Sequence, residues 1–292
     1  MEWFFFSIFA TCMFGIQSFL YKRALTNSAD KFWVTLFFML TVEVFAIVYF
    51  SIKGFEFLFI SLTLLLGFLF ALCFFLKTIF QFKALEFLPT NIVFPISAAS
   101  IILTVFYAII FFKEKLSIFS IVGIILIILA ITLIHYFAKS KSDYKITRSG
   151  FLFAIITIPF GAGMMITNKY AATSTNLGFF IMITYLFSIM ISFGSAKTSK
   201  FNQRNKLPKM IQKTNWSASI KYGIIIGIIN FMGYISLLTA LKSGPLVLVS
   251  AIHPNFIIIT AILAKLFNGE ELSLKQFGLV CIAVLGIILL RI

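Results

Sequence analysis

The sequence predicts an all-α integral membrane protein: ten transmembrane helices in two five-helix repeats of inverted topology. Three observations predict it. The chain is 61% hydrophobic and 11% charged, with 39 Phe in 292 residues, more apolar surface than a soluble domain can hide. It contains about ten runs of about 20 apolar residues, each long enough to cross a hydrocarbon core. One stretch, from Ala84 to Leu133, also occurs twice.

Adding 156 to each residue number carries Ala84, Leu85 and Pro89 onto Ala240, Leu241 and Pro245. The match continues from Ile101, Ile102, Thr104, Ala108 and Phe111 to Ile257, Ile258, Thr260, Ala264 and Phe267. Glu114, Leu116 and Ser117 then fall on Glu270, Leu272 and Ser273. Apolar coincidences between greasy helices mean little. With only 6 Pro and 9 Asp plus Glu in the chain, coincident Pro and Glu at one offset point to a duplicated unit.

In order, the runs cover approximately 3–21, 33–52, 57–80, 89–112 and 116–137, then 149–169, 177–195, 218–241, 245–267 and 273–291. This divides the chain into a first repeat (1–138), a basic connector (139–148) and a second repeat (149–292). Five spans per repeat is an odd number, so the second copy enters the membrane from the opposite side. Phe14, Gly15, Lys22 and Ala24 are echoed, at a slightly shorter offset, by Phe160, Gly161, Lys169 and Ala171. The run from Trp3 to Leu20 lacks a basic leader and a small-residue cleavage site, and reads as a retained first span.

The net charge of +15 would suggest nucleic acid in a soluble chain. Here Lys and Arg gather in the gaps between apolar runs, which is the positive-inside pattern, so no nucleic-acid partner is expected. The interruption 196–217 carries Lys197, Lys200, Arg204, Lys206, Lys209 and Lys213 without an acid, as suits a loop against an anionic leaflet. Lys139, Lys141, Lys145 and Arg148 fall on the same side, as do Lys22, Arg23 and Lys31. Lys53, Lys113, Lys115, Lys242 and Arg291 fall on the other. The basic face is then cytoplasmic and both termini lie outside. Cys12, Cys73 and Cys281 sit inside apolar runs without metal or redox spacing and read as packing residues.

Ten spans in two halves, each ending in a Pro-led span, a Glu-x-Leu-Ser turn (Glu114 to Ser117, Glu270 to Ser273) and a Gly-containing last span (Gly123; Gly278 and Gly286), resemble the drug/metabolite transporter superfamily, specifically its EamA-type members. The resemblance covers essentially the whole chain. It implies a secondary transporter or exporter of small metabolites, such as amino acids or their relatives, in a bacterial inner (cell) membrane, working through a central cavity shared by the repeats. It implies no particular solute.

Glu114 and Glu270 read first as structural turn residues, each ahead of a helix whose positive end favours a carboxylate by roughly 0.3 to 1 kcal/mol; gating is the other reading. Substrate-binding groups are sought where polar atoms lie deep in the bilayer. Ser97, Ser100, Thr104 and Tyr107 share one helical face, and Ser250, His253 and Thr260 repeat it. Such hydroxyls either glue helices together or line a cavity. The stripe begins beside a helix-breaking proline in each copy, Pro95 and Pro254, which favours the cavity. His253 is either a satisfied core imidazole or a contact for solute or proton. Asn230 and Asn255 suit a zwitterion or a sugar as well as they suit packing, and Tyr234 stands one turn beyond Asn230.

Glu43 lies near the centre of the second span, where an acid is neutral, paired or wet; it is the candidate for proton coupling. Lys77 is too far along the third span to pair with it, and is expected to snorkel to the opposite interface.

The expected function is alternating-access transport, with export favoured, of a small polar or amphipathic solute, amino-acid-like by preference. Neither a cofactor nor a metal is implied. Oligomeric state is left open: the small residues Gly123, Gly278 and Gly286 permit close helix contact, either within the chain or with a second copy. Two alternatives stand beside transport, a non-transporting membrane partner and a membrane-embedded lipid-modifying enzyme. Against the enzyme, no triad or metal-spaced cluster occurs; a phosphate-binding Gly-rich loop is missing too, so direct drive by ATP is not expected.

Overall fold

A computed structural model describes residues 2–54, 56–57, 59–88, 90–137, 147–203, 215–268 and 274–291. Among these residues the only regular structure is helical. The first repeat holds α1 (Glu2–Thr26), α2 (Lys31–Ile52), α3 (Ile60–Phe87), α4 (Thr90–Ala98), α5 (Ser100–Phe111) and α6 (Ile118–Phe137). The second holds α7 (Arg148–Ser174), α8 (Leu177–Gln203), α9 (Trp216–Ser243), α10 (Leu246–Ile252), a 3-10 turn (His253–Asn255), α11 (Phe256–Asn268) and α12 (Leu274–Leu289).

Seven helical stretches are long and apolar enough to cross a bilayer, two of them formed by α4 running into α5 and α10 into α11. The other three apolar segments lie in α6, α8 and α12: at 1.5 Å per residue the 20-residue α6 and the 27-residue α8 are about 30 and 40 Å long, enough for a core of about 30 Å, and the 16 residues of α12 reach about 24 Å. The third span extends beyond expectation, since α3 continues to Phe87. Its extension is held by cation–π contact of Lys83 with the Phe80 and Phe153 rings, 5.9 and 5.5 Å away.

Both broken rods interrupt at equivalent places, although their prolines do not align. Ala99 separates α4 from α5, and adding 156 gives Asn255, the end of the 3-10 turn. Proline supplies no N–H, so each rod loses a ladder bond and tightens. At the first break Ala99 N–H reaches Ile96 O and Ile102 N–H reaches Ala99 O, at 3.1 and 3.0 Å. At the second, Asn255 Nδ2 donates to Ala251 O and Ile252 O at 3.2 and 2.9 Å, so a side-chain amide serves the carbonyls that the turn leaves short.

The two repeats pack reciprocally. α1 lies on α9 as α7 lies on α3, α2 contacts α9 as α8 contacts α3, and α1 meets α11 as α7 meets α5. Glycine permits the closest of these approaches. A Cβ at Gly15 would stand 3.0 Å from Phe256 O, and one at Gly161 would stand 2.8 Å from Ser100 Cβ; Ser100 and Phe256 are themselves 156 apart. Each repeat's first helix thus nests in the break of the other repeat's rod. α6 and α12 meet through Gly123 and Gly286, where a Cβ on either would come within 2.9 Å of the other's carbonyl oxygen. These two glycines therefore serve contact within the chain, while Gly278 faces open space. Finally, Trp3 at the start of α1 packs on Gly244 at the end of α9, and Gly150 at the start of α7 packs on Phe87 and Leu88 at the end of α3.

Candidate functional site

The hydroxyl stripe of the fourth span is occupied by helix contacts. Ser97 Oγ and Thr157 Oγ1 of α7 are hydrogen-bonded at 2.8 Å, Thr104 donates to its own helix at Ser100 O, and Ser100 packs on Gly161. Tyr107 shares a hydrogen bond with Tyr170 of α7 at 2.9 Å. The second copy behaves alike: Ser250 donates to Val247 O, and Thr260 donates to Gly15 O of α1 and to Phe256 O. In this conformation the stripe joins α7 and α1 to the broken rods instead of facing an open cavity. Apolar surroundings make each unmet hydroxyl costly, so the nearest carbonyl or hydroxyl captures it.

Asn230 and Tyr234 belong to polar clusters that their own helix does not reveal. Asn230 Nδ2 donates to Gln17 Oε1 of α1 at 2.9 Å, and its oxygen accepts from the Tyr185 hydroxyl of α8. One turn on, the Tyr234 hydroxyl donates to Asn168 Oδ1 of α7 at 2.8 Å. Gln17, Asn168 and Tyr185 were missed in the sequence. Gln17 and Asn168 carried a usable signal, an amide inside an apolar run; Tyr185 carried none beyond its position in a span.

Lys77 overturns the expectation that it snorkels. It stands ten positions before Phe87, and Ser100 stands ten after Thr90, so each lies about 15 Å from the membrane face where α3 gives way to α4. Helical side chains lean toward their own N-terminus, which turns Lys77 away from that face and toward mid-membrane. Its Cε accordingly lies 3.7 Å from where a Gly161 side chain would begin. It is also close enough to His253 for the two to interact electrostatically. Among the described residues no acceptor bonds the ammonium and no carboxylate pairs with it.

His253 sits in the 3-10 turn with Phe14 of α1 edge-on at 5.0 Å between ring centres. Its Nδ1 is buried without a hydrogen-bond partner, as is Asn255 Oδ1 in the same turn. Lys77 and His253 each keep part of their surface open. The first repeat's lysine, beside Gly161 of α7, and the second repeat's imidazole, against Phe14 of α1, thus lie within electrostatic range of each other. Glu43 is elsewhere, on α2, which packs against α8 and α9, and its Oε2 is buried without a partner. Metal-ligating clusters of three or more His, Cys, Asp or Glu do not occur among the described residues.

Glu114 acts at a distance from its own turn. Its carboxylate accepts from Leu246 N–H at 2.6 Å and Val247 N–H at 2.9 Å, the first amides of α10 in the other repeat. The helix following Glu114, expected to take its charge, is started by Ser117, whose Oγ accepts from Ser120 N–H at 3.0 Å. From α7, Lys169 Nζ donates to Leu241 O and Gly244 O at 2.7 and 2.8 Å. One acid and one base thereby satisfy both open ends of the α9–α10 corner. Glu270 lies outside the described residues.

Two helical repeats, packed reciprocally and rich in helices long and apolar enough to cross a bilayer, define a multi-pass membrane protein built from repeats. The profile of the EamA-like transporter family matches residues 1–136 and again residues 148–292, so the chain belongs to that family, within the drug/metabolite transporter superfamily. Curated proteins give no match. A solved structure described only as "Crystal structure of protein" superposes with a TM-score of 0.72, over 98% of this chain and 94% of its own, at 14% identity. That likeness shows the fold alone.

Proposed function

We propose that this protein is a secondary transporter that exports a small polar or amphipathic metabolite, amino-acid-like by preference, across a bacterial inner membrane by alternating access. The observation that carries the reading is Lys77: a lysine without a partner, turned to mid-membrane and within electrostatic reach of His253 in the other repeat. A charge in hydrocarbon is costly unless water or a ligand meets it, and a carrier's central site supplies both in turn. His253 and Asn255, in one 3-10 turn, each leave a buried polar atom without a partner, which suits a solute site.

The division at 1–138, 139–148 and 149–292 is supported by the two family matches and by the reciprocal packing. Inverted topology is supported by helix ends: α1 starts where α9 ends, while α7 starts where α3 ends. Ten crossings follow if α6, α8 and α12 join the seven long apolar stretches as spans, with the 16-residue α12 met by a locally thinner bilayer. Glu43 is the group proposed to couple transport to protons, supported by its orphaned oxygen on α2. No chemical step is assigned to the protein, and its family consists of carriers and not enzymes.

The test is uptake into proteoliposomes of purified protein, with labelled amino acids, sugars, nucleosides and lipophilic cations, with and without a proton gradient. Saturable uptake of one class is expected. Its absence for every solute, from protein shown to be folded, would favour a partner or enzyme role instead.

A further inference from the structure

We propose that the central site takes a solute bearing a carboxylate, whose oxygens are received by the Lys77 ammonium with the His253 ring beside it. This rests on the transport reading above and narrows its substrate class. Four observations converge on it.

First, Lys77 is the lone charge near the centre of α3, a 28-residue helix, and no described acid neutralises it. A retained charge there is costly unless water or an anion meets it, and an anionic solute would do so for part of the cycle. Second, its approach is shaped by small groups. Gly161 brings no side chain against Cε, 3.7 Å from where its Cβ would stand, and Ser100, at the matching depth on the broken rod, packs on the same glycine.

Third, His253 Nδ1 is buried without a partner. A buried ring nitrogen is ordinarily bonded, and a carboxylate oxygen would accept from it in the tautomer that carries the proton there. The edge of Phe14 at 5.0 Å holds the ring from one side. Fourth, Lys77 and His253 come from different repeats. A solute that bridges them would hold the repeats together, and its release would let them separate, as alternating access demands.

Lysine suits this role as a compact charge on a flexible stem. It can follow one carboxylate through a change of helix position, where a rigid guanidinium fork would lock to one geometry. Glu43 does not compete for the ammonium: it stands on α2, which packs on α8 and α9, and has no interaction with Lys77.

The experiment uses the full chain in proteoliposomes and pairs each labelled L-amino acid or short monocarboxylate with its own primary amide as competitor. The acid is expected to compete more strongly than its amide by about tenfold or more, the effect of losing a charge-assisted hydrogen bond. Lys77→Gln should bring that ratio close to one, and Lys77→Arg should restore part of it. His253→Ala should weaken the acid alone. Folding of each variant is checked by its elution from a sizing column and its unfolding temperature. Amides that compete as well as acids, or a ratio unchanged in Lys77→Gln, would overturn this inference while leaving transport intact. Saturable uptake confined to uncharged or cationic solutes would do the same. If folded wild-type protein takes up nothing, the transport reading falls, and this inference falls with it.

Discussion

The Glu114 carboxylate reaches across from the first repeat to the Leu246 amide of the second, at 2.6 Å. The contact joins the α5–α6 turn to the first turn of α10, and Lys169 completes it by binding the last carbonyls of α9 at 2.7 and 2.8 Å. Lys113 helps aim the acid: its φ of 53° lies in the left-handed region and reverses the chain directly before Glu114. A carboxylate on helix N–H groups is a charge-assisted bond, roughly twice as strong as a neutral one. Glu114→Ala is therefore expected to lower stability by about 1 to 3 kcal/mol, with Glu114→Gln retaining part of it. Unfolding temperatures of the detergent-solubilised variants check this; an unchanged Glu114→Ala would remove the contact from any structural role.

The α6–α12 contact depends on having no side chain at two positions. A Cβ at Gly123 would lie 2.7 Å from Gly286 O, and one at Gly286 would lie 2.9 Å from Gly123 O. Backbone cannot yield as a flexible side chain does, so Gly123→Ala and Gly286→Ala should each cost about 1 to 3 kcal/mol. Gly278, with nothing within 4 Å, should accept Ala with no loss and a small gain from helix propensity. The three variants compared in one thermal series would show whether close approach, and not glycine as such, is what matters.

Gln17, Asn230 and Tyr185 form one connected cluster across α1, α9 and α8. Gln17→Ala and Asn230→Ala should each cost on the order of 0.6 to 1.7 kcal/mol, the range for interhelical hydrogen bonds in membranes. Their combination should cost less than the sum, because the second change removes a group already without its partner. Strict additivity in a double-mutant cycle would separate the two residues.

Lys77→Met is expected to raise the unfolding temperature while abolishing solute competition. Removing an unpaired charge from the membrane interior relieves a cost that the folded state otherwise carries. A fall in stability would mean that the ammonium has a structural partner.

Glu43→Gln is expected to leave solute counterflow intact and to remove only the component of uptake that an imposed proton gradient drives. Glutamine keeps the shape and loses the titratable proton. Equal loss of both components would make Glu43 structural instead.

Some of this was legible in the sequence because it follows from local composition. Apolar runs gave the helices, since hydrocarbon allows no other open backbone. The 156-residue offset gave the repeat; the interruptions were expected beside Pro95 and Pro254, and only the structure showed them at the matched positions Ala99 and Asn255. The Glu-x-Leu-Ser turns gave the family.

Other properties were invisible because they depend on which helix lies beside which. Lys77 reads as an interfacial lysine as long as α3 is taken to end near residue 80; its continuation to Phe87 and the lean of its side chain turn it inward. Glu114 reads as the cap of its own next helix, whereas Ser117 holds that place and the acid serves α10. The sequence leaves the hydroxyl stripe readable as helix glue or cavity lining; the structure shows which partners its members take, with Ser97 and Tyr107 bonded to α7, Thr260 to α1, and Thr104 and Ser250 to their own helices. Sequence by itself determined the membrane class, the duplicated helices and the family, because each is written in composition and spacing along one chain. Only the tertiary structure decided that Lys77 and His253 come together. Pairing between helices depends on packing, and residues 176 positions apart in the sequence carry no local mark of their meeting.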